Sequence, residues 1–121
     1  QYGDCAGEIA ALQRDHGVTL CHWQHAIADH DETAALIEAL DLVISVQTTV
    51  AHLAGALGKQ AWVLLPAVSE WRYMQSGDTM PWYPSVRLFR QQQLFDWRPV
   101  VERVNAELLA KVDHPRRQRP D

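Results

Sequence analysis

The chain has 121 residues, 47% of them hydrophobic and 21% charged, with a formal net charge of −4. That is the size of one domain with enough apolar material for a core, which excludes a disordered chain. A duplex-binding protein needs a basic face to neutralise phosphates, and no such stripe runs through this sequence, so nucleic acid is not an expected partner.

No apolar run reaches the roughly 20 residues that a membrane span needs. The start, Gln1-Tyr2-Gly3-Asp4, has neither the basic opening nor the apolar run of a signal peptide. It also lacks an initiator Met and reads as a processed or excised piece. Cys5 and Cys21 are too few for a disulfide scaffold and read as buried thiols of a reducing compartment, which points to the cytoplasm.

In chain order, Tyr2-Gly3-Asp4 reads as a strand end feeding a helix capped by Asp4. That helix runs to His16, turns Ile9 and Leu12 inward and stops at Gly17. Residues 18–21 are short, apolar and β-branched, hence a strand. Residues 22–30 are polar and irregular. Asp31 then caps a helix over 32–40 with Ala35, Leu36 and Ala39 facing in. Residues 42–46 are unbroken apolar, the pattern of a strand buried on both faces. Thr48 or Thr49 opens the next helix, which ends at Leu57 with Gly58 just past it. Residues 61–65 form another buried strand, closed by Pro66. The βαβαβαβ order implies a parallel sheet with right-handed crossovers.

The pattern changes after Pro66. Residues 67–85 form a long loop rich in Trp, Tyr, Pro and Gly, and ordered loops of that length are usually functional. Residues 86–89 read as a last strand, with Arg87 and Arg90 as solvated flanks. Asp96 caps an amphipathic helix in which Val100, Val101, Val104, Leu108 and Val112 recur at helical spacing. Arg98, Glu102, Arg103 and Glu107 lie outside. Trp62 and Trp97 read as core. The domain therefore spans residues 1–112, followed by a disordered tail at 113–121.

Chemistry concentrates in residues 41–65, DLVISVQTTVAHLAGALGKQAWVLL. In an open parallel sheet, ligands bind outside the carboxyl ends of the strands. A helix starting there aims its N–H groups and positive dipole end at the crevice, an arrangement suited to phosphate. The hydroxyls of Thr48 and Thr49 add donors, and His52 sits one turn in. Ala51, Ala54, Gly55 and Ala56 let the helix lie close to the sheet. From the helix pattern alone, a second reading stands beside this one: a threonine acting only as an N-cap and His52 as a partly buried polar residue. Arg72 is the cation of the aromatic loop suited to a diphosphate, or else a surface arginine stacked on Trp71 or Tyr73. Trp71, Trp82 and Tyr83 line a sugar or base pocket, or pack the loop. His22, His25 and His30 are neighbours only in a loop, so no metal is expected. Neither cysteine stands in a Cys–His constellation with an orienting partner, so no catalytic thiol is expected.

The stretch SVQTTVAHLAGALGKQAWVLL resembles nucleotide-sugar glycosyltransferases of the heptosyltransferase type, whose signature is S-x-D-T-x-x-x-H-L-A-x-A-L-G-x-P. It is more similar still to bacterial relatives in which this domain follows tetratricopeptide repeats, akin to O-GlcNAc transferases. The order E-W-R-Y, P-W-Y-P, R-L-F-R after residue 66 carries the same resemblance, as do the YGD start, His22-Trp23 and residues 31–34. It covers residues 1–104.

The resemblance implies the C-terminal, Rossmann-like half of a two-domain GT-B fold, a three-layer α/β domain that binds the nucleotide-sugar donor. Thr48, Thr49, Gln47 and His52 would hold the diphosphate, with Arg72, Trp71, Glu32 and Thr33 as further donor contacts. The reaction implied is transfer of a hexose- or heptose-type sugar from a nucleoside diphosphate, with no separate cofactor. The acceptor, a protein or glycan, and the catalytic base would belong to a missing N-terminal half carrying the repeats, so the fragment alone would be inactive. Gln47 stands where Asp is frequent, and Gln60 where Pro is common. An amide holds hydroxyls but cannot act as a base. The alternative is a degenerate, non-catalytic binding or scaffold module.

Overall fold

A computed structural model describes residues 3–113. The strand end expected at Tyr2 and the tail from residue 114 onward lie outside the described residues. Two compact units divide the chain, one ending at Leu36 and the other starting at Ile37. Among the described residues no helix is long and apolar enough to cross a membrane.

The first unit opens with helix α1, Ala6–His16. Asp4 accepts a hydrogen bond from the Ala6 N–H at 3.1 Å, and Gly17, at φ 64°, ends the helix by donating its N–H to the Gln13 carbonyl. The stop at Gly17 matches the sequence reading; at the other end the N-cap position is Cys5, and Asp4 serves the Ala6 N–H from one residue before it. The inward face does not match: α1 buries no residue, Ile9 is only half-buried and Leu12 is exposed. Residues 18–21 are not a strand either. They pair with no ladder, Val18 and Leu20 are exposed, and Thr19 spends its hydroxyl on Gln13 Oε1 at 2.8 Å. Short β-branched content is a weak strand signal without a neighbouring strand to pair with. Gly3 and Asp4 are likewise outside any strand.

The irregular stretch contains a 3₁₀ turn, Gln24–Ile27, and leads into helix α2, His30–Ala39. Its cap is Asp29, not Asp31: Asp29 Oδ1 accepts the Glu32 N–H at 2.8 Å. The helix therefore starts two residues earlier than expected. Its buried residue is Ile37, whereas Ala35 and Ala39 are exposed and Leu36 is intermediate.

The second unit is an α/β arrangement around a small open sheet. Strands β1, Val43–Val46, β2, Ala61–Leu65, and β3, Val86–Arg90, are all parallel in the order β1-β2-β3. Between β1 and β2 runs helix α3, Thr49–Ala56, and after β3 comes helix α4, Arg98–Asp113. Asp113, which the sequence places in the tail, is the last residue of α4. Asp96 accepts the Arg98 N–H at 3.2 Å, as its capping role requires. No α-helix links β2 to β3; the aromatic loop, with one 3₁₀ turn at Trp71–Tyr73, makes that crossing.

Alternation along β2 sorts two cores. Ala61, Val63 and Leu65 pack with Ile37, Val43, Ala51, Ala54, Tyr73, Met80 and Leu88. Trp62 packs on the other face with Phe89, Val100 and Val104, the Trp62 and Phe89 rings 5.3 Å apart. The central position of β2 explains its near-continuous burial. The first strand differs from expectation: Val43 is buried, but Ile44 and Val46 are 41% and 50% exposed. They share the Trp62 face by register, and α4 reaches β2 and β3 there rather than β1. Along α4 only Val100 and Val104 are buried and Leu108 is partly so; Val101 and Val112 are exposed. Trp97, expected in the core, is exposed as well.

One contact fixes α3 against the loop. A Cβ built at Gly55 would lie 2.4 Å from Tyr83 Cγ, the root of the ring rather than its mobile end. The helix carries a glycine there so that Tyr83 can pack against it. Gly55→Ala gains about 1 kcal/mol of helix propensity yet forces Tyr83 away. We expect a net loss of about 1–3 kcal/mol in urea unfolding. A neutral or stabilised variant would mean that Tyr83 does not pack on this helix.

Candidate functional site

The site expected at the carboxyl end of β1 is built from three consecutive pieces. The strand ends at Val46, Gln47 and Thr48 turn the chain, and α3 begins at Thr49. Thr48 occupies the N-cap position with extended backbone, φ −137° and ψ 174°, but its side chain makes no capping hydrogen bond. Its hydroxyl lies 3.3 Å from Ser45 Oγ instead. A pure capping role for the Thr48 side chain is therefore not what the structure holds. Thr49 is exposed on the first turn, and no acidic residue occupies that turn to compete for the positive end of the helix.

His52 is half-buried and enclosed by two loop aromatics. Its Nε2 lies 3.3 Å from the Tyr73 hydroxyl, and its ring meets Tyr83 edge-on at 6.0 Å. Gln47 Oε1 accepts the Glu70 N–H at 3.3 Å. Gln47, Thr48, Thr49 and His52 are thus gathered at one helix end with Glu70, Tyr73 and Tyr83 beside them.

Arg72 is committed locally. It pairs with the Glu70 carboxylate and its guanidinium lies over the Trp71 ring, 4.6 Å from the centroid. Trp71 is 67% exposed, and exposed Trp82 donates its Nε1–H to the Arg72 carbonyl at 3.0 Å. Glu32 and Thr33 belong to the first unit. There Glu32 is exposed at the start of α2, and the Thr33 hydroxyl reaches the carbonyls of Ala26 and Asp29 at 2.7 and 2.8 Å.

The sequence reading missed Arg90. It is no solvated flank. Its Nε donates to the Gly77 carbonyl at 2.7 Å, and Nη1 to Ser69 Oγ at 3.1 Å and the Met74 carbonyl at 3.0 Å. Nη2 reaches the carbonyls of Tyr73 and, at 3.4 Å, Ser76. One guanidinium thus ties residues 69–77 to the end of β3, and burial lowers its pKa from the usual arginine value. Arg87 is also engaged: it grips Glu107 at 3.0 Å and Asp78 at 3.9 Å. The hydrogen bond and charge of Arg87 lower the Glu107 pKa. These groups line a separate cavity of about 470 Å³ with Phe89 and Arg103. The available signal was the strand itself, since VRLFR puts two cations into five residues of a buried sheet.

Of the two cysteines expected to be buried, Cys5 is and Cys21 is not. Cys21 is exposed, while Cys5 is buried with its Sγ 3.7 Å from His22 Nδ1. Among the described residues, no group of three or more His, Cys, Asp or Glu side chains is arranged to hold a metal.

Two outcomes follow. Arg90→Ala leaves several loop carbonyls without a donor and should lower stability by about 2–4 kcal/mol, with faster amide exchange concentrated in residues 69–77. Unchanged exchange there would show that the loop is held by other means. Burial raises the Tyr73 pKa, with the Arg72 charge opposing and Tyr83 adding to it. The fold favours the protonated phenol, so its contribution is complete below about pH 10 and is lost as pH rises through the raised value. Alkaline unfolding should therefore begin at lower pH in the wild type than in Tyr73→Phe.

The chain is 41% identical over 112 residues to Protein FlbA of Caulobacter vibrioides, an alignment that covers 89% of this chain. The chain spans 18% of the length of that relative. No family model matches the chain, and no solved structure matches it.

Proposed function

We propose that this chain is the nucleotide-sugar donor-binding half of a glycosyltransferase of the heptosyltransferase or repeat-associated O-GlcNAc transferase type, with a Rossmann-like, three-layer GT-B domain. The observation that supports it most is the start of α3 at the carboxyl end of β1, with Thr48 and Thr49 at the turn and His52 one turn in. Open parallel sheets bind ligands at such strand ends.

Sugar transfer from a nucleoside diphosphate builds negative charge on the departing diphosphate. Fixed donors aimed at that charge lower the barrier by a few kcal/mol each. On this reading the N–H groups of the first α3 turn, the Thr48 and Thr49 hydroxyls and His52 supply them without a metal or other cofactor. Arg72 joins by leaving Glu70, and Trp71 offers a face to sugar or base. The acceptor, a protein or glycan, and the catalytic base come from an N-terminal half with tetratricopeptide repeats, so the chain by itself transfers nothing. The setting is the cytoplasm.

One observation favours the second reading, a non-catalytic binding module. Gln47 stands where a carboxylate is frequent in such enzymes, and its amide oxygen is taken by the Glu70 N–H. That side chain serves the loop rather than a sugar.

Titration with UDP, GDP, ADP and CMP, followed by backbone amide shifts, separates these readings. We expect one nucleotide to perturb residues 46–52, and the Thr48→Val, Thr49→Val pair to weaken binding about tenfold, or about 1.4 kcal/mol. No response at millimolar concentration in this chain or in the full-length protein would overturn donor binding. Binding without transfer by the full-length protein would select the non-catalytic module.

A further inference from the structure

Tyr73 is almost wholly buried, at 1% exposure, and it comes from the loop rather than from a strand or helix of the sheet. A buried phenol needs a partner for its hydroxyl. The partner is His52 Nε2 at 3.3 Å. The position is held from both sides: the Tyr73 ring packs in the core with Val63 and Leu65, and Arg90 Nη2 binds its carbonyl. Tyr83 closes on the imidazole from another direction.

Neutral imidazole carries one proton on either of two nitrogens, and the group bonded to one nitrogen sets the state of the other. Two arrangements fit the 3.3 Å contact. Tyr73 can donate O–H to a bare Nε2, leaving N–H at Nδ1. Alternatively, Nε2–H can donate to the phenol oxygen, leaving a bare lone pair at Nδ1. The first pairs the better donor with the better acceptor, because a phenol is more acidic than neutral imidazole and an imidazole nitrogen is more basic than a phenol oxygen. Burial also holds Tyr73 in its O–H form. Only the first leaves His52 able to donate to an anion.

We propose that Tyr73 is the positioning residue that fixes His52 in the Nδ1–H tautomer, making it a hydrogen-bond donor for a phosphate oxygen at the start of α3. The role in phosphate binding rests on the donor-site reading above; the tautomer does not. Through Arg90 and Tyr73, the order of residues 69–77 then governs the proton state of a side chain on another element. The loop is therefore part of the anion site without having to touch the ligand.

The tautomer is read first, in ligand-free protein labelled with ¹⁵N-histidine, at about pH 8.5 where imidazole is neutral. His52→Ala identifies the resonances. We expect the wild type to show His52 protonated at Nδ1, and Tyr73→Phe, which keeps the packed ring, to shift it toward Nε2–H. A wild-type His52 protonated at Nε2, or an unchanged tautomer in Tyr73→Phe, would overturn the proposal. Titration with UDP and ADP then reads the consequence. Tyr73→Phe should weaken binding about three- to tenfold, and should add nothing in the His52→Ala background. An equal loss in that background would mean that Tyr73 acts on binding independently of His52, and would also overturn it. Absence of nucleotide binding in every form would remove the donor-site reading while the tautomer measurement still decides what Tyr73 does.

Discussion

The hydrogen bonds of Arg90 are the constraint on which the shape of the second unit depends. Parallel strands need a crossover, and most crossovers use a helix to cover the sheet. Between β2 and β3 the chain instead uses a twenty-residue loop, residues 66–85, with a single 3₁₀ turn. Such a loop has carbonyls that no helix ladder satisfies. A guanidinium has five donors in a rigid fork, and Arg90 spreads them over Ser69, Tyr73, Met74, Ser76 and Gly77. Lysine at the same place would offer a point charge without that geometry. The loop can then deliver Tyr73 and Met80 into the core as a helix would deliver its apolar stripe.

From that anchor a line of contacts leads to the end of α3. Arg90 holds Tyr73, Tyr73 meets His52, and Tyr83 packs between His52 and Gly55. Gln47 adds a second tie through Glu70. The end of α3 is thus bounded by the loop rather than standing open as a bare helix terminus. The other face of the sheet has a different character, with aromatic and aliphatic packing under α4 and a paired Arg87 and Glu107 at its margin.

The second unit was more legible than the first, for a physical reason. Residues 61–65 are apolar in every position because β2 has a neighbour on each side, and residues 49–56 carry small residues because the helix lies on that sheet. Tertiary burial and sequence pattern agree there. The 18–21 segment has the composition of a strand but no pairing partner, and composition alone does not supply one. Ile44 and Val46 look like core because the sequence does not reveal that β1 ends the ladder. The turn at 47–49 could be read, since strand, threonines and helix are contiguous. The Tyr73–His52 contact could not, since its partners are 21 residues apart and are joined by an arginine further on still.

Gly55 and Tyr83 illustrate what such a contact does to the freedom of a sequence to change. The absent side chain at one position is the space occupied by the ring at the other. Neither position can drift alone: a larger residue at 55 requires a smaller one at 83, and a smaller residue at 83 opens a void over the helix. The loop and α3 therefore form a single unit of variation. A graft that transfers the QTTVAHLAGALG segment to another sheet without the P-W-Y-P turn would carry over the donors but not the surface that closes over them.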